Sequence, residues 1–274
     1  MPLLPLAILA LVQGITEFLP ISSSGHLILV WQGLDTAGLP VPAEGGQNRL
    51  VLDVAVHVGT LVAVCGYFRR DIAGMIRGAV RWLGGERDAG ARLAINVVIA
   101  TLPVVAVGMS AREMVADHLR SVELVAWTTL LFGIALYAAD KAGGLRRKLD
   151  EMDVPDALIV GMLQILAIMP GTSRAGITAT AGRMLGYSRQ EAARFALLLG
   201  IPTIAGAGVM AGLDLAGSDA AALRVDALVA AVLACGAAWL TIALLMRWLQ
   251  RQTFTPFVVY RLALGLALLG YVYL

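Results

Sequence analysis

Charge is scarce in this sequence. Only 15% of its 274 residues are Asp, Glu, Lys or Arg, where a soluble domain carries about a quarter. Hydrophobic residues make up 59% and the mean hydropathy is +0.80. Together these exclude an ordinary soluble domain and point to an all-α polytopic membrane protein. The net charge of +2 is too small to argue for nucleic acid as a partner. The two cysteines, Cys65 and Cys235, stand in separate apolar runs and read as small buried hydrophobes. No CxxC, zinc pattern or disulfide framework exists. GxxxxGK[ST] and HExxH are also missing, so nucleotide hydrolysis and zinc proteolysis of those types have no support. The opening MPLLPLAILA lacks the basic region of a signal peptide and is expected to belong to the mature fold.

What is present is apolar runs of spanning length, about 20 residues each. Six are expected, at Val51–Phe68, Leu93–Ser110, Val122–Asp140, Ala192–Leu213, Val225–Trp248 and Pro256–Leu274. Two further stretches, Leu3–Leu34 and Pro155–Tyr187, are too long for one span and are interrupted by Pro, Gly and hydroxyl residues. Each reads as a re-entrant helical hairpin, because irregular backbone at membrane depth must lie inside protein or against a water-filled cavity. The interruptions resemble each other. Gln13 to Gly25 and Gln164 to Gly176 are equally separated, and each encloses a proline and a hydroxyl cluster. Three spans follow each hairpin. The expectation is one integral membrane domain, 1–274, made of inverted repeats 1–140 and 155–274.

The basic residues support that layout. One side receives Arg69, Arg70, Arg77, Arg81, Arg87 and Arg92, then Lys141, Arg146, Arg147 and Lys148, then Arg183, Arg189 and Arg194, then Arg247 and Arg251. The other receives only Arg49, Arg112, Arg120 and Arg224. The positive-inside rule makes the first side cytoplasmic and puts both termini outside. Residues 69–83, RRDIAGMIRGAVRWL, are expected to lie on the inner membrane surface. Ser188 with Glu191 matches a capping box. The many glycines suit close helix packing. A homodimer is compatible with this layout and is not required by it.

The polar residues sit at the interruptions. A carboxylate at membrane depth is expensive and usually marks a site. Glu17 is such a residue, and Gln13 lies one turn earlier on the same face. Their oxygens suit a hard divalent cation, Mg²⁺ or Ca²⁺, completed by water and substrate phosphate; capping of its own hairpin is the plainer role for Glu17. Ser22, Ser23, Ser24 and Gly25 precede a helix expected to resume at His26. Gly171, Thr172, Ser173, Arg174 and Gly176 precede a second helix, expected over Ile177–Leu185. Helix starts bind anions, and Arg174 adds a bidentate fork suited to phosphate. Helix–helix hydrogen bonding for the serines and an ion pair with Glu17 for Arg174 are the structural readings. His26 has the setting for acid–base or nucleophilic work. Asp53 and His57, one turn apart, have the spacing to line the same cavity, and a packing role serves them as well. His118 is assigned nothing. A lipid phosphate is the ligand that would use all these groups. A hydrolase and a lipid-phosphate transporter or flippase both remain open at this point.

QGITEFLPISSSGH and PGTSRAG resemble the two signatures of the bacterial undecaprenyl-diphosphate phosphatases, the bacitracin-resistance proteins. The resemblance extends over essentially the whole chain. It implies removal of the terminal phosphate from a C55 polyprenyl diphosphate, giving the monophosphate carrier for cell-wall synthesis. It further implies a divalent cation and a site open to the outer, periplasmic side of the bacterial inner membrane. Gln13 and Glu17 match the family's (E/Q)xxxE pair and are expected to hold the cation. Ser23 is then the favoured nucleophile and His26 the proton shuttle, with His26 itself or an activated water as variants of the nucleophile. Arg174 and the N–H groups of the tips would stabilise charge on the phosphate. Gln at position 13, where many members carry Glu, removes one formal charge from the cation site and leaves more of the binding to Glu17.

Overall fold

The computed structural model describes residues 1–43, 46–86, 88–111, 119, 121–144, 147–214 and 224–274, with the side chains of 211–214 left aside. Arg87, Arg112, Arg120, Arg146 and His118 fall outside the described residues.

The first interruption behaves as its sequence dictates. Helix α1 (Leu3–Thr16) is stopped by the run to Pro20, which has no N–H to give and disfavours helix in the residue before it. Helix α2 (Ser23–Thr36) follows. The chain then forms α3 (Gln47–Tyr67), α4 (Arg69–Leu83), α5 (Ala89–Ser110) and α6 (Val122–Ala142). The second interruption repeats the first. Helix α7 (Val154–Gln164) tightens into a 3₁₀ turn over Ile165–Ile168, is broken at Pro170, and gives way to α8 (Arg174–Met184). Helices α9 (Arg189–Asp214), α10 (Arg224–Trp248) and α11 (Thr255–Tyr273) complete the chain. Among the described residues there is no β-strand, only an isolated bridge between Arg147 and Tyr187.

Six helices are long and apolar enough to cross a membrane: α3, α5, α6, α9, α10 and α11. Their positions match the expected spans to within a few residues. This is a multi-pass helical membrane protein. The four helices flanking the interruptions are shorter, at 14, 14, 11 and 11 residues. At 1.5 Å per residue they reach only about 16–21 Å, short of the ~30 Å hydrocarbon core.

Two expectations are corrected here. Both helices after the interruptions begin three residues earlier than read from sequence, at Ser23 and Arg174, because Ser22 and Ser173 cap them. The capping box at Ser188 is only half formed. The Glu191 amide donates to Ser188 Oγ at 3.3 Å, but the Glu191 carboxylate accepts from the Leu149 amide at 3.2 Å, and the Ser188 amide donates to the Arg147 carbonyl.

Packing joins the two halves of the chain. Helix α3 lies along α10, α6 along α11, and α1 along α10. The approach of α3 to α10 depends on Gly59, where a Cβ would stand 2.1 Å from the Ala231 carbonyl oxygen. Small residues at such crossings let van der Waals contact replace the hydrophobic drive that lipid removes. Cys65 and Cys235 are unpaired and partly buried.

Several of the basic residues are tied into the fold. The buried Asp140 accepts from Arg183 at 3.1 Å and from Arg189 at 2.6 Å, and its other oxygen accepts from the Phe254 amide at 3.3 Å. Arg147 pairs with Asp156 at 2.5 Å, and Tyr187 donates its hydroxyl to the same carboxylate. Burial and the Asp156 carboxylate push the Tyr187 phenol up from its ordinary pKa.

Candidate active site

The two interruptions share one unusual backbone geometry. Among the described residues, Ser22 (φ 73°) and Ser173 (φ 71°) are the only non-glycine residues with positive φ. That conformation is costly for an L side chain and survives only where surrounding contacts over-determine it. Here they do. Ser22 Oγ accepts from the Gly25 amide at 3.4 Å and Ser173 Oγ from the Gly176 amide at 3.1 Å, each capping the helix it opens. Ser22 Oγ also accepts from the amide of Gly171 at 3.1 Å, so the first interruption is bonded to the second. The amides of Ser23 and Ser24, and of Arg174 and Ala175, have no acceptor among the described residues. Free N–H groups at a helix start are anion-binding groups.

Arg261, on α11, locks the junction. It is fully buried and, among the described residues, has no carboxylate partner. Its Nη1 donates to the carbonyls of Pro20 and Thr172, both at 3.0 Å. Its Nη2 donates to Gly171 at 3.0 Å and Thr128 at 3.3 Å, and its Nε to Thr129 at 3.0 Å. One guanidinium thus satisfies carbonyls from both interruptions and from α6. Thr128 Oγ1 adds a 2.6 Å bond to the Pro170 carbonyl. Gly171, with φ 89°, is required where it stands, because a Cβ there would meet Thr128 Oγ1 at 2.0 Å.

The chemistry-bearing side chains meet on the Glu17 carboxylate, which is 8% exposed. Its Oε2 accepts from Ser23 Oγ at 2.6 Å and from Gln13 Nε2 at 2.8 Å. Its Oε1 accepts from Arg174 Nη2 at 3.2 Å. The second fork nitrogen of Arg174 donates to the Ala196 carbonyl at 3.0 Å. Residues 157 positions apart in the chain therefore form one largely buried ion pair. A buried carboxylate needs such donors to remain charged.

His26 is held by partners other than Glu17. Its Nδ1 lies 2.6 Å from the Ser22 carbonyl and must donate to it, leaving Nε2 to accept from the Tyr260 hydroxyl at 2.6 Å. The imidazole beside Glu17 is His57, with Nε2 at 3.9 Å from Oε2 and Nδ1 donating to the Asp53 carbonyl at 2.6 Å. Asp53 accepts from Trp31 Nε1 at 3.0 Å. Of the other expected residues, Ser24 Oγ lies 3.3 Å from Ser22 Oγ and is exposed, and Thr172 Oγ1 is buried without a hydrogen-bond partner. Gly25 and Gly176 supply capped amides.

Arg261, Tyr260 and the nearness of His57 to Glu17 are not evident from the two motifs. Arg261 did leave a signal, since a lone arginine within an apolar span is costly and seldom idle. His57 left a weaker one, its one-turn spacing from Asp53; Tyr260 left none, because its relation to the site is purely tertiary.

Fold and site together define a helical membrane protein in which two helix interruptions share a hydroxyl–carboxylate–guanidinium cluster centred on a buried carboxylate. The chain belongs to the family of the bacitracin resistance protein BacA, whose model matches residues 6–267. It is 47% identical over 276 residues to the undecaprenyl-diphosphatase of Ruegeria pomeroyi, covering all of both chains. It is 47% identical over 281 residues to undecaprenyl-diphosphatase 1 of Rhodospirillum rubrum, covering 100% of this chain and 96% of that one. With the undecaprenyl-diphosphatase of Hahella chejuensis it shares 43% identity over 98% of each chain.

Proposed function

We propose that this protein hydrolyses undecaprenyl diphosphate to undecaprenyl monophosphate and inorganic phosphate, returning the lipid carrier to cell-wall synthesis and conferring bacitracin resistance. The observation that carries the reading is the Ser23 hydroxyl donating to Glu17 at 2.6 Å, with Arg174 on the other oxygen. Ser23 Oγ attacks the terminal phosphorus in line with the bridging oxygen. Glu17 takes the hydroxyl proton, the bridging P–O bond breaks, and the monophosphate leaves. Water then cleaves the phosphoserine and releases phosphate. Arg174 and the free amides at the two helix starts stabilise charge on the transferring group, where catalysis of this kind is mostly positioning and electrostatics. Ser22, Ser24, Gly25, Gly171, Thr172, Ser173 and Gly176 shape the cradle around it. His26, held by Ser22 and Tyr260, orients the first interruption; the shorter proton route runs through Glu17.

A divalent cation fits the same place. Gln13 Oε1 is buried without a hydrogen-bond partner among the described residues, and the Gln13 amide is bonded to the Glu17 carboxylate. No group of three or more His, Cys, Asp or Glu converges among the described residues. A hard ion such as Mg²⁺ or Ca²⁺, which keeps water and substrate phosphate as ligands, matches so sparse a set. When bound it would neutralise charge on the diphosphate; Gln13 and Glu17 would hold it.

The fold is read as inverted repeats, 1–140 and 155–274, within one domain, each a re-entrant hairpin plus three spans. The protein lies in the inner membrane with the site facing the periplasmic side. A carrier would also bind the headgroup, but it has no use for a hydroxyl aligned on a carboxylate. The test is phosphate release from undecaprenyl diphosphate by purified protein in detergent, with and without chelator. Release that stops with chelator and falls at least about a hundredfold in Ser23→Ala is expected. Near-normal turnover by Ser23→Ala would eliminate the serine as nucleophile.

A further inference from the structure

A groove of about 1070 Å³ runs along the seam of α1 and α10. Its floor is apolar, with Leu11 and Ile15 on one wall and Leu240 and Leu244 on the other. Its mouth carries Arg247, Trp248 and Arg251, and among the described residues no Asp or Glu lines it. Both arginines are exposed. Among the described residues neither guanidinium has a carboxylate partner or a hydrogen bond, unlike Arg147, Arg183 and Arg189.

The groove is separate from the Glu17 cluster. Leu11 and Ile15 are four apart and share one face of α1, whereas Gln13 and Glu17 are displaced by two residues and lie on the opposite face. A lipid bound here needs its own anion site, and the unpaired arginines at the mouth form one. Guanidinium forks match phosphate oxygens. A Trp and arginines above a leucine floor are the arrangement of a membrane–water interface. The depth selects the tail. From Ala237 to Trp248 the α10 wall covers about 16 Å, half of the ~30 Å hydrocarbon core. That is one leaflet, the depth of an ordinary acyl chain; a C55 polyprenyl chain is far longer.

We propose that this groove is a binding site for an anionic glycerophospholipid, its phosphate held by Arg247 and Arg251 and its acyl chain lying on the leucine floor. Native mass spectrometry of the purified full chain tests it, with phosphatidylglycerol or phosphatidylcholine of identical chains as probes. Wild type should retain phosphatidylglycerol about thirtyfold more tightly. Arg247→Gln/Arg251→Gln should abolish that preference while phosphate release stays unchanged. Leu240→Trp, which fills the floor from an exposed position, should weaken phosphatidylglycerol binding with both arginines intact. Equal retention of the two lipids by wild type, or a preserved preference in the double variant, would overturn the proposal. So would displacement of phosphatidylglycerol by an equal concentration of polyprenyl monophosphate, which would assign the groove to the product instead.

Discussion

Two arginines at the site, Arg174 partly buried and Arg261 fully buried, do different work, and their partners show which is which. Arg174 meets a carboxylate, Glu17, at 3.2 Å and so holds a charge that a substrate phosphate can compete for. Arg261 meets only carbonyls, five of them from Pro20, Thr128, Thr129, Gly171 and Thr172. No phosphate reaches it without breaking the junction. Arg261 is therefore a positioning residue. In Arg261→Lys a single ammonium cannot span three chain segments, so several buried carbonyls lose their donor, at about 1–3 kcal/mol each. Misplacing a reacting group by about 1 Å can cost a hundredfold in rate. We expect kcat to fall by about that factor with KM little changed, read by steady-state phosphate release. A variant with wild-type kcat would show that the junction holds without the fork.

At the scale of helices, the paired interruptions were legible because Pro, Gly and hydroxyls recur at matched spacing between Gln13 and Gly25 and between Gln164 and Gly176. The six spans were legible from length and hydropathy alone. The exact helix starts were not. Ser22 and Ser173 look like any loop serine until their positive φ and capping bonds are seen. The direction of His26 was hidden too, since Tyr260 is 234 positions away. The ends of α6 and α8 and the starts of α9 and α11 are fastened by Asp140, again through residues distant in sequence. Removing one partner from a buried pair costs about 3–5 kcal/mol, against ~1 kcal/mol or less at the surface. Asp140→Asn should therefore lower the Tm by roughly 10 °C. Asp88→Asn, which can keep the cap on the Ala91 amide and loses the exposed pair with Arg81, should leave it almost unchanged. Equal shifts in the two variants would contradict the assigned role of Asp140.

For the whole molecule, the proposed inversion requires an odd parity. One hairpin plus three spans would carry the chain across the membrane, and a second such unit would carry it back, so both termini would share one side, which the positive-inside rule makes the outer one. A reporter fused after Leu274 should be active only if it folds in the periplasm, and cytoplasmic activity would overturn the topology. The central claim is that the two halves build one site on a single carboxylate. It is tested most directly by kcat/KM for phosphate release in wild type, Glu17→Gln, Arg174→Lys and the double variant. Groups acting as a unit are strongly non-additive, so the double variant should be scarcely slower than the worse single one. Losses that multiply would contradict the account, because the two residues would then act independently.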